Sequence, residues 1–249
     1  MEPQLRAVVF DVDGTLADTE RDGHRPAFNA AFAEHGLDVE WGVAEYGRLL
    51  AITGGRRRIA ADLRDRGLGA EADELATRVH RTKTALFTEL VTSGAIVARP
   101  GLPELVADLV AEGVRLAVAT TGRRSWVEPL LDRLLGAYPV EVVVTGDDVA
   151  ELKPDPEVYL RALAALGLPA SDALAVEDSA VGLRAATAAG LATVVVTNGY
   201  TADQDFPGAA AVLPGYHGPE PLHAQRCRAL HRRWWTAGPQ TTRSRGGTA

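Results

Sequence analysis

The chain is predicted to be an α/β protein, with a doubly wound, Rossmann-like parallel sheet as its core and a small all-helical cap domain inserted into it. Three observations predict this. Short Val- and Ala-rich runs that are apolar on both faces recur along the sequence, as in sheets covered by helices on each side. Helix-like segments with apolar residues at spacings of three and four lie between the later runs and stop at glycine. The alternation breaks once, over residues 18–96, where the periodic segments read as helix only.

The first strand is AVVF (7–10), and DVDGT follows at once, leaving Asp11 and Asp13 at the strand's carboxyl end before a sharp turn at Gly14. Isolated charges there would be costly, so a cation or hydrogen bonds must offset them. Residues 18–96 contain PAFNAAFAEHG, RRRIAADLRDRG and ADELATRVHRTKTALFTELV, which predict the cap. ARPG (98–101) marks the return to the core. There LPELVADLVAEG (102–113), PEVYLRALAALG (156–167) and SAVGLRAATAAG (179–190) predict helices, with Pro154 suited to a helix start. RLAVAT (115–120), ALAVE (173–177) and ATVVV (192–196) predict the remaining buried strands. The expected organisation is residues 1–17 and 97–222 as core, 18–96 as cap, and 223–249 as a basic tail that begins as a short helix and is disordered over its last dozen residues.

At 249 residues and 46% hydrophobic, the chain can bury one large core or two smaller ones. No apolar run approaches the ~18 residues that cross a bilayer, and MEPQLRAVVF lacks a signal-peptide pattern. With a single cysteine, Cys227, a disulfide framework is excluded, and a cytoplasmic location without a membrane partner is expected. The net charge is −7, but six arginines and no acidic residue fall from His223 onward. The body therefore carries 20 basic and 33 acidic residues, or −13. That balance argues against a nucleic-acid partner and suits a site that uses divalent cations. A monomer is expected.

In open α/β sheets, ligands bind beyond the carboxyl ends of the strands. Asp11 and Asp13 lie there and, two apart on an extended segment, can face one pocket. Thr120 and Thr121, before Gly122, end the second strand; Lys153 precedes PDPE; Glu177 and Asp178 end the third. Four segments thus bring carboxylates, hydroxyls and an ammonium to one edge, and those groups match phosphoryl transfer in kind. A carboxylate can attack phosphorus. Mg²⁺ takes about six oxygen ligands, one or two carboxylates commonly among them. Hydroxyls, amides and a lysine can hold the charge on the transferring group. In the cap, Gly54 and Gly55 let backbone amides approach a ligand, and Arg56, Arg57 and Arg58 could bind a second, non-reacting phosphate.

DVDGT, a strand ending in Thr120, LKPDPEVY and VEDSAVG, in that order, resemble the four motifs of the haloacid dehalogenase-like hydrolase superfamily, and the helical insert resembles its small cap. The resemblance implies that Asp11 is the nucleophile and Asp13 the general acid/base, which also offers its backbone carbonyl to Mg²⁺. It implies that Asp178 is the other carboxylate on the metal and that Glu177 supports the metal's waters. Thr120, the Thr121 amide and Lys153 would hold the transferring phosphate. DTERDGHRPAFNAAF, TGGRRRI, RTKTALFTEL, RPG, TGDDVAELKPDPEVY and NGYTADQDF further resemble, over roughly residues 6–212, the sugar-bisphosphate phosphatases of carbon fixation. Those enzymes remove the C1 phosphate of xylulose-1,5-bisphosphate. This closer resemblance implies a small phosphorylated sugar as substrate, contacted by Asp18, by Gly54, Gly55 and Arg56, and by the turn Thr120, Thr121, Gly122 and Arg123.

Two departures, TTGRR at the turn and Arg56 where lysine is frequent in that family, leave the exact sugar open. A phosphomutase of the β-phosphoglucomutase kind shares every core motif. A phosphoglycolate-type or broad sugar-phosphate phosphatase would fit the same motifs, and a non-catalytic binding module would fit the fold. Single residues also have plainer readings. Asp18 can be a helix N-cap, Gly54–Gly55 a turn, and Arg56–Arg58 a solvated helix start. His24 and His80 are expected to be packing or surface residues, and Trp234–Trp235 to dock the tail on the body.

Overall fold

A computed structural model of the chain describes residues 3–52 and 54–237. β1 (Ala7–Phe10), β2 (Arg115–Ala119), β3 (Val140–Val144), β4 (Ala173–Glu177), β5 (Ala192–Val196) and β6 (Ala211–Leu213) form one parallel sheet in the order β3-β2-β1-β4-β5-β6. β1 is central, with Val9 opposite Ala117 on one side and Ala175 on the other. Strand order reverses at β1, so the crevice beyond its carboxyl end is the place where a ligand fits.

Alternate residues of each strand enter different layers. Val8, Phe10, Leu116, Val118, Leu174, Val176 and Val194 pack with α5 (Leu102–Ala111), α6 (Arg124–Leu135) and α9 (Ala224–Ala237). Ala7, Val9, Ala117, Ala119, Ala173 and Ala175 turn to α7 (Glu157–Leu166) and α8 (Ala180–Ala188). A fully buried Val or Leu contributes about 1.5–3 kcal/mol, so the first layer supplies most of the burial energy. The second, mostly alanine, lets α7 and α8 come close to the sheet.

A π-helical turn, Glu20–His24, leads from β1 into α1 (Arg25–Glu34), α2 (Val43–Leu49), α3 (Gly55–Asp65) and α4 (Ala72–Ser93). These helices bury Phe28, Phe32, Trp41, Tyr46, Ile59 and Leu63 in a cluster of their own. α4 joins the two bodies. Ala76 and Val79 in its first half belong to the helical cluster, whereas Phe87 and Val91 belong to the main core. Phe87 meets Trp126 of α6 edge to face at 5.2 Å. Among the described residues of 18–96 there is no strand.

The structure adds elements that the sequence pattern did not reveal. β3 and β6 are edge strands and only partly buried, so their runs lack the two-sided apolar character of the central ones. α6 carries Pro129, a residue that speaks against helix, and α2 is only seven residues long. Pro154 does not start a helix: α7 begins at Glu157, with Pro156 as its N-cap. The tail helix runs for 14 residues and is docked. Trp234 donates to the Gly208 carbonyl at 3.0 Å, and Arg228 to the carbonyls of Leu5 and Glu112, both at 3.0 Å. Residues 238–249, where disorder is expected from composition, lie outside the described residues.

Candidate active site

Period two along β1 sends Asp11 to the same side as Ala7 and Val9, and along β4 it sends Glu177 to the same side as Ala173 and Ala175. Both carboxylates therefore face the layer of α7 and α8, where Lys153 enters from the loop before α7. Lys153 Nζ donates to Asp11 Oδ1 at 2.6 Å, to Glu177 Oε1 at 2.7 Å and to the Ala119 carbonyl at 2.9 Å. Tyr159 of α7, reaching through the alanine face, donates its hydroxyl to the same Glu177 oxygen at 2.5 Å. Glu177 Oε2 accepts the Asp178 N–H at 3.2 Å. Gly182 makes room for this carboxylate, because a Cβ there would lie 1.9 Å from Oε2.

Burial works against the Lys153 ammonium, but Asp11 and Glu177 outweigh it and raise its pKa above the ordinary lysine value. Burial pushes Asp11 upward while Lys153 opposes it. We take Lys153 as charged and Asp11 as its ionised partner, since an ammonium 2.6 Å away favours the carboxylate.

Asp13 continues the turn. Its Oδ1 accepts the Thr19 hydroxyl at 2.5 Å, and His24 Nε2 lies 3.7 Å from the same oxygen. Burial first, and the Glu20 charge next, raise its pKa to about 6. Gly14 is required behind it: its φ is +79°, and a Cβ would lie 2.3 Å from Asp178 Oδ2. Asp178 is buried, and Asn198 Nδ2 donates to its Oδ2 at 2.7 Å. Burial, with the Asp11 and Glu177 charges, holds the Asp178 pKa well above the usual carboxylate range. Arg99, where the chain re-enters the core, ties these loops together by donating to the carbonyls of Gly14 at 2.5 Å, Val196 at 2.8 Å and Thr197 at 2.6 Å.

Asp11, Glu177 and Asp178 each offer an oxygen within 4.8 Å of the others. Both Glu177 oxygens already have protein partners, so Asp11 and Asp178 are the carboxylates with capacity left for a cation. Two carboxylates in an all-oxygen setting fit Mg²⁺ in donor type and number. A bound cation would also relieve the carboxylate crowding that raises the Asp178 pKa.

A cleft of about 710 Å³ joins the sheet edge to the cap. Asp11, Asp13, Thr121, Lys153, Glu177 and Asp178 line it from the core, and Glu20, Gly54 and Arg58 from the cap side. Other sequence-derived candidates lie off this lining. Thr120 is buried, and its hydroxyl accepts the Gly122 N–H at 3.0 Å. Asp18 lines a narrow side pocket of about 30 Å³ with Glu20, Asn198 and Tyr200, and its Oδ1 lies 3.7 Å from Arg99 Nε. The Asp18 side chain caps no helix, since the π-helical turn has Thr19 as its N-cap and no side-chain cap bond.

Gly55 begins α3, packed closely on Phe28 and His80. Arg56 and Arg57 are exposed, whereas Arg58 is buried and donates to the Leu49 carbonyl and the Tyr46 hydroxyl, each at 3.0 Å. Arg123 precedes α6; its charge and that of Arg56 help lower the pKa of His80, after burial and Lys83. They approach His80 from opposite domains.

Several residues near the site carried no motif signal of their own. Lys83 of α4 is buried, with Nζ 2.7 Å from His24 Nδ1 and 4.8 Å from the ring centres of Phe28 and Phe87. Burial lowers the Lys83 pKa to about 8. Burial, then the Lys83 and Arg58 charges, hold the His24 pKa well below the usual value, so the imidazole is neutral and its Nδ1 accepts from Lys83. His24 and Lys83 could have been found from the helical period, which turns both inward. The roles of Asn198 and Tyr159 depend on long-range pairing and could not.

Comparison with known proteins agrees with this geometry. The haloacid dehalogenase-like hydrolase family matches residues 5–190. Protein CbbY of Rhodobacter capsulatus is 44% identical over 214 residues, covering 85% of this chain and 93% of that protein. The crystal structure of CbbY from Rhodobacter sphaeroides in complex with phosphate superposes with a TM-score of 0.73 at 44% identity, over 85% of this chain and 95% of that one. A variant of the same protein, solved in complex with xylulose-1,5-bisphosphate, gives the same values. The phosphoglycolate phosphatase of Rhodospirillum rubrum is 35% identical over 79% of this chain and 81% of its own length.

Proposed function

Because the chain belongs to the haloacid dehalogenase-like hydrolases and is a phosphatase of that family, we propose that it hydrolyses a small sugar bisphosphate, xylulose-1,5-bisphosphate foremost, to the monophosphate. The observation that carries the reading is the 2.6 Å contact of Lys153 with Asp11, in one cleft with Asp13, Thr121 and Asp178. The 44% identity to a protein solved with xylulose-1,5-bisphosphate supports the choice of sugar.

Asp11 attacks phosphorus through a carboxylate oxygen, forming an acyl phosphate as the bond from phosphorus to the sugar oxygen breaks. Asp13, whose pKa of about 6 leaves a protonated fraction near neutrality, gives its proton to the leaving sugar oxygen. The resulting Asp13 carboxylate then takes a proton from water, which attacks the acyl phosphate, releases inorganic phosphate and regenerates Asp11. Lys153 and the Thr121 amide hold the phosphoryl oxygens, and Glu177 with Tyr159 fixes the ammonium. Asp11, Asp178 and the Asp13 carbonyl would hold Mg²⁺, which supplies charge neutralisation on the phosphoryl group.

Two measurements test the proposal. Release of phosphate from p-nitrophenyl phosphate is expected to require Mg²⁺ and to stop with EDTA. Across xylulose-1,5-, ribulose-1,5- and fructose-1,6-bisphosphate, with glucose 1-phosphates as the mutase control, kcat/KM should favour the xylulose compound more than ~100-fold, about 2.7 kcal/mol. A flat profile across the sugars would refute the substrate assignment.

A further inference from the structure

The reaction above gives no role to NGYTADQDF (198–206), which follows β5 and enters the cleft as Asn198, Tyr200, Thr201 and Gln204. The segment begins as a tight turn. The Asn198 carbonyl accepts from the N–H groups of Thr201 at 3.1 Å and Ala202 at 3.0 Å, and the Asn198 N–H donates to the Thr201 hydroxyl at 3.0 Å. The Tyr200 N–H donates to Asn198 Oδ1 at 2.8 Å. That bond settles which way the amide faces: its oxygen is taken by the turn, so its NH₂ group reaches Asp178 Oδ2, at 2.7 Å. Residue 14 makes room for this by being glycine, since a Cβ there would lie 2.6 Å from Asn198 Nδ2. Farther along, Gln204 Oε1 accepts the N–H of Ala180 at 2.8 Å, two residues after Asp178.

The cap holds the same turn from its other side. The Tyr200 ring meets Tyr46 of α2 edge on, with 5.9 Å between centres. Tyr46 is fully buried, its hydroxyl donating to Glu20 and accepting from Arg58 at 3.0 Å. Beside it, Gly47 lies inside α2, where glycine costs about 0.5–1 kcal/mol relative to alanine. A Cβ at Gly47 would lie 3.1 Å from Tyr200 Cδ1, so the glycine lets α2 settle closely on the ring. Tyr200 thus faces two ways: its ring packs against the cap, and its N–H fixes the amide that holds Asp178. We propose that Tyr200 is a positioning residue that couples the seating of the cap to the metal carboxylate, acting through Asn198 to fix Asp178 for Mg²⁺. This inference rests on the Mg²⁺-dependent phosphatase reading above.

Calorimetric titration of the metal-free full chain with Mg²⁺ alone tests it without turnover. Loss of a group that orients a metal ligand typically weakens affinity 10- to 100-fold, so Asn198→Ala should raise the Mg²⁺ Kd by roughly that factor. Coupling through packed side chains is smaller, and Tyr200→Ala should raise the Kd about three- to tenfold, whereas Tyr200→Phe, which keeps the ring, should stay within about twofold. Gly47→Val crowds the ring from the cap side and should raise the Kd about threefold or more, although it changes no carboxylate. Should Tyr200→Ala not fold, Tyr200→Leu and Gly47→Val carry the same comparison. If either Tyr200→Ala or Gly47→Val leaves the Kd within about twofold of the wild type, the turn holds Asp178 without the cap and the inference is overturned. It is overturned equally if these variants only lower the melting temperature, or if Asn198→Ala leaves the Kd unchanged. A wild-type protein that binds no Mg²⁺ would refute the metal assignment itself, and this inference with it.

Discussion

The floor of the cleft and its roof are built by different means. On the floor, Asp11 and Glu177 end adjacent parallel strands, and Lys153 bonds both within 2.7 Å. Strand direction aims the two carboxylates, and Lys153, entering from the loop before α7, satisfies both. In the roof, Glu20, Arg58 and Lys83 come from three helical segments and rest on Tyr46, Phe28 and Phe87. Here packing of side chains sets the geometry, and a cation is tolerated by being stacked rather than fully paired. The contrast teaches that the two are held differently but not isolated: strand ends and an ion pair fix the floor, aromatic packing fixes the roof, and the Glu20 charge of the roof still reaches Asp13 below.

Breaking the floor should have the largest effect. Asp11→Asn keeps the shape but removes the attacking carboxylate, and kcat is expected to fall more than about a thousandfold, ~4 kcal/mol, for sugar and aryl phosphates alike. Steady-state turnover of both esters checks this; retention of a larger fraction would exclude covalent catalysis at Asp11.

Lys153→Met should come next, because it strands Asp11 and Glu177 together out of water. Removing one partner of a buried ion pair costs roughly 3–5 kcal/mol. Urea denaturation should register that loss, together with a decrease in kcat of about 100-fold. Unchanged stability would mean that the carboxylates are not paired in solution as they are here.

The roof should answer in the opposite direction. Lys83 has a folded-state pKa of about 8, below its unfolded value, because burial penalises the ammonium. Below pH 8 it is protonated in both states, and the folded state bears the whole cost. Between pH 8 and about 10.5 the folded state releases its proton first, and the cost fades. Lys83→Met is therefore expected to be more stable at pH 7, by at most about 3 kcal/mol, with the advantage shrinking toward pH 10. Thermal melts of both proteins across that range would show it, and a Met variant less stable at pH 7 would mean that the stacked ammonium is adequately solvated.

The smallest change is expected at the exposed rim. Replacing Arg56 and Arg57 with Ala should raise KM for a bisphosphate about three- to tenfold, in a salt-dependent way, with kcat nearly unchanged. No change in KM would place the non-reacting phosphate elsewhere.

The same contrast explains what could be read without coordinates. Asp11, Asp13, Lys153 and Asp178 were legible because each sits in a short motif: the aspartates at or just beyond a strand end, where strand direction fixes the edge they reach, and Lys153 in the loop before α7 on that same edge. The pairing of Glu177 with Lys153 was half legible: its phase with Ala173 and Ala175 turns it toward α7, but the lysine it meets there is set by long-range packing. The cap was legible as helices, and its arginines as candidates for a second phosphate, but not in which of them packing leaves exposed. Arg56, Arg57 and Arg58 are alike in sequence, yet helical geometry buries only the third. The positions of β6 and α6 were hidden for a simpler reason, since edge strands and a proline-containing helix weaken the periodic signal.

By itself, the order of residues determined the α/β class, the central strands and the identity of the acidic and basic groups at their ends, because those follow from period and strand direction over a few residues. Only the tertiary structure decided which partner each group takes: Lys153 reaches an aspartate 142 positions away, Asn198 orients Asp178, and Tyr46 fixes Glu20. Local geometry can aim a side chain, but what it meets depends on how closely distant layers pack, and that is set by the alanine face below the site and the aromatic cluster above it.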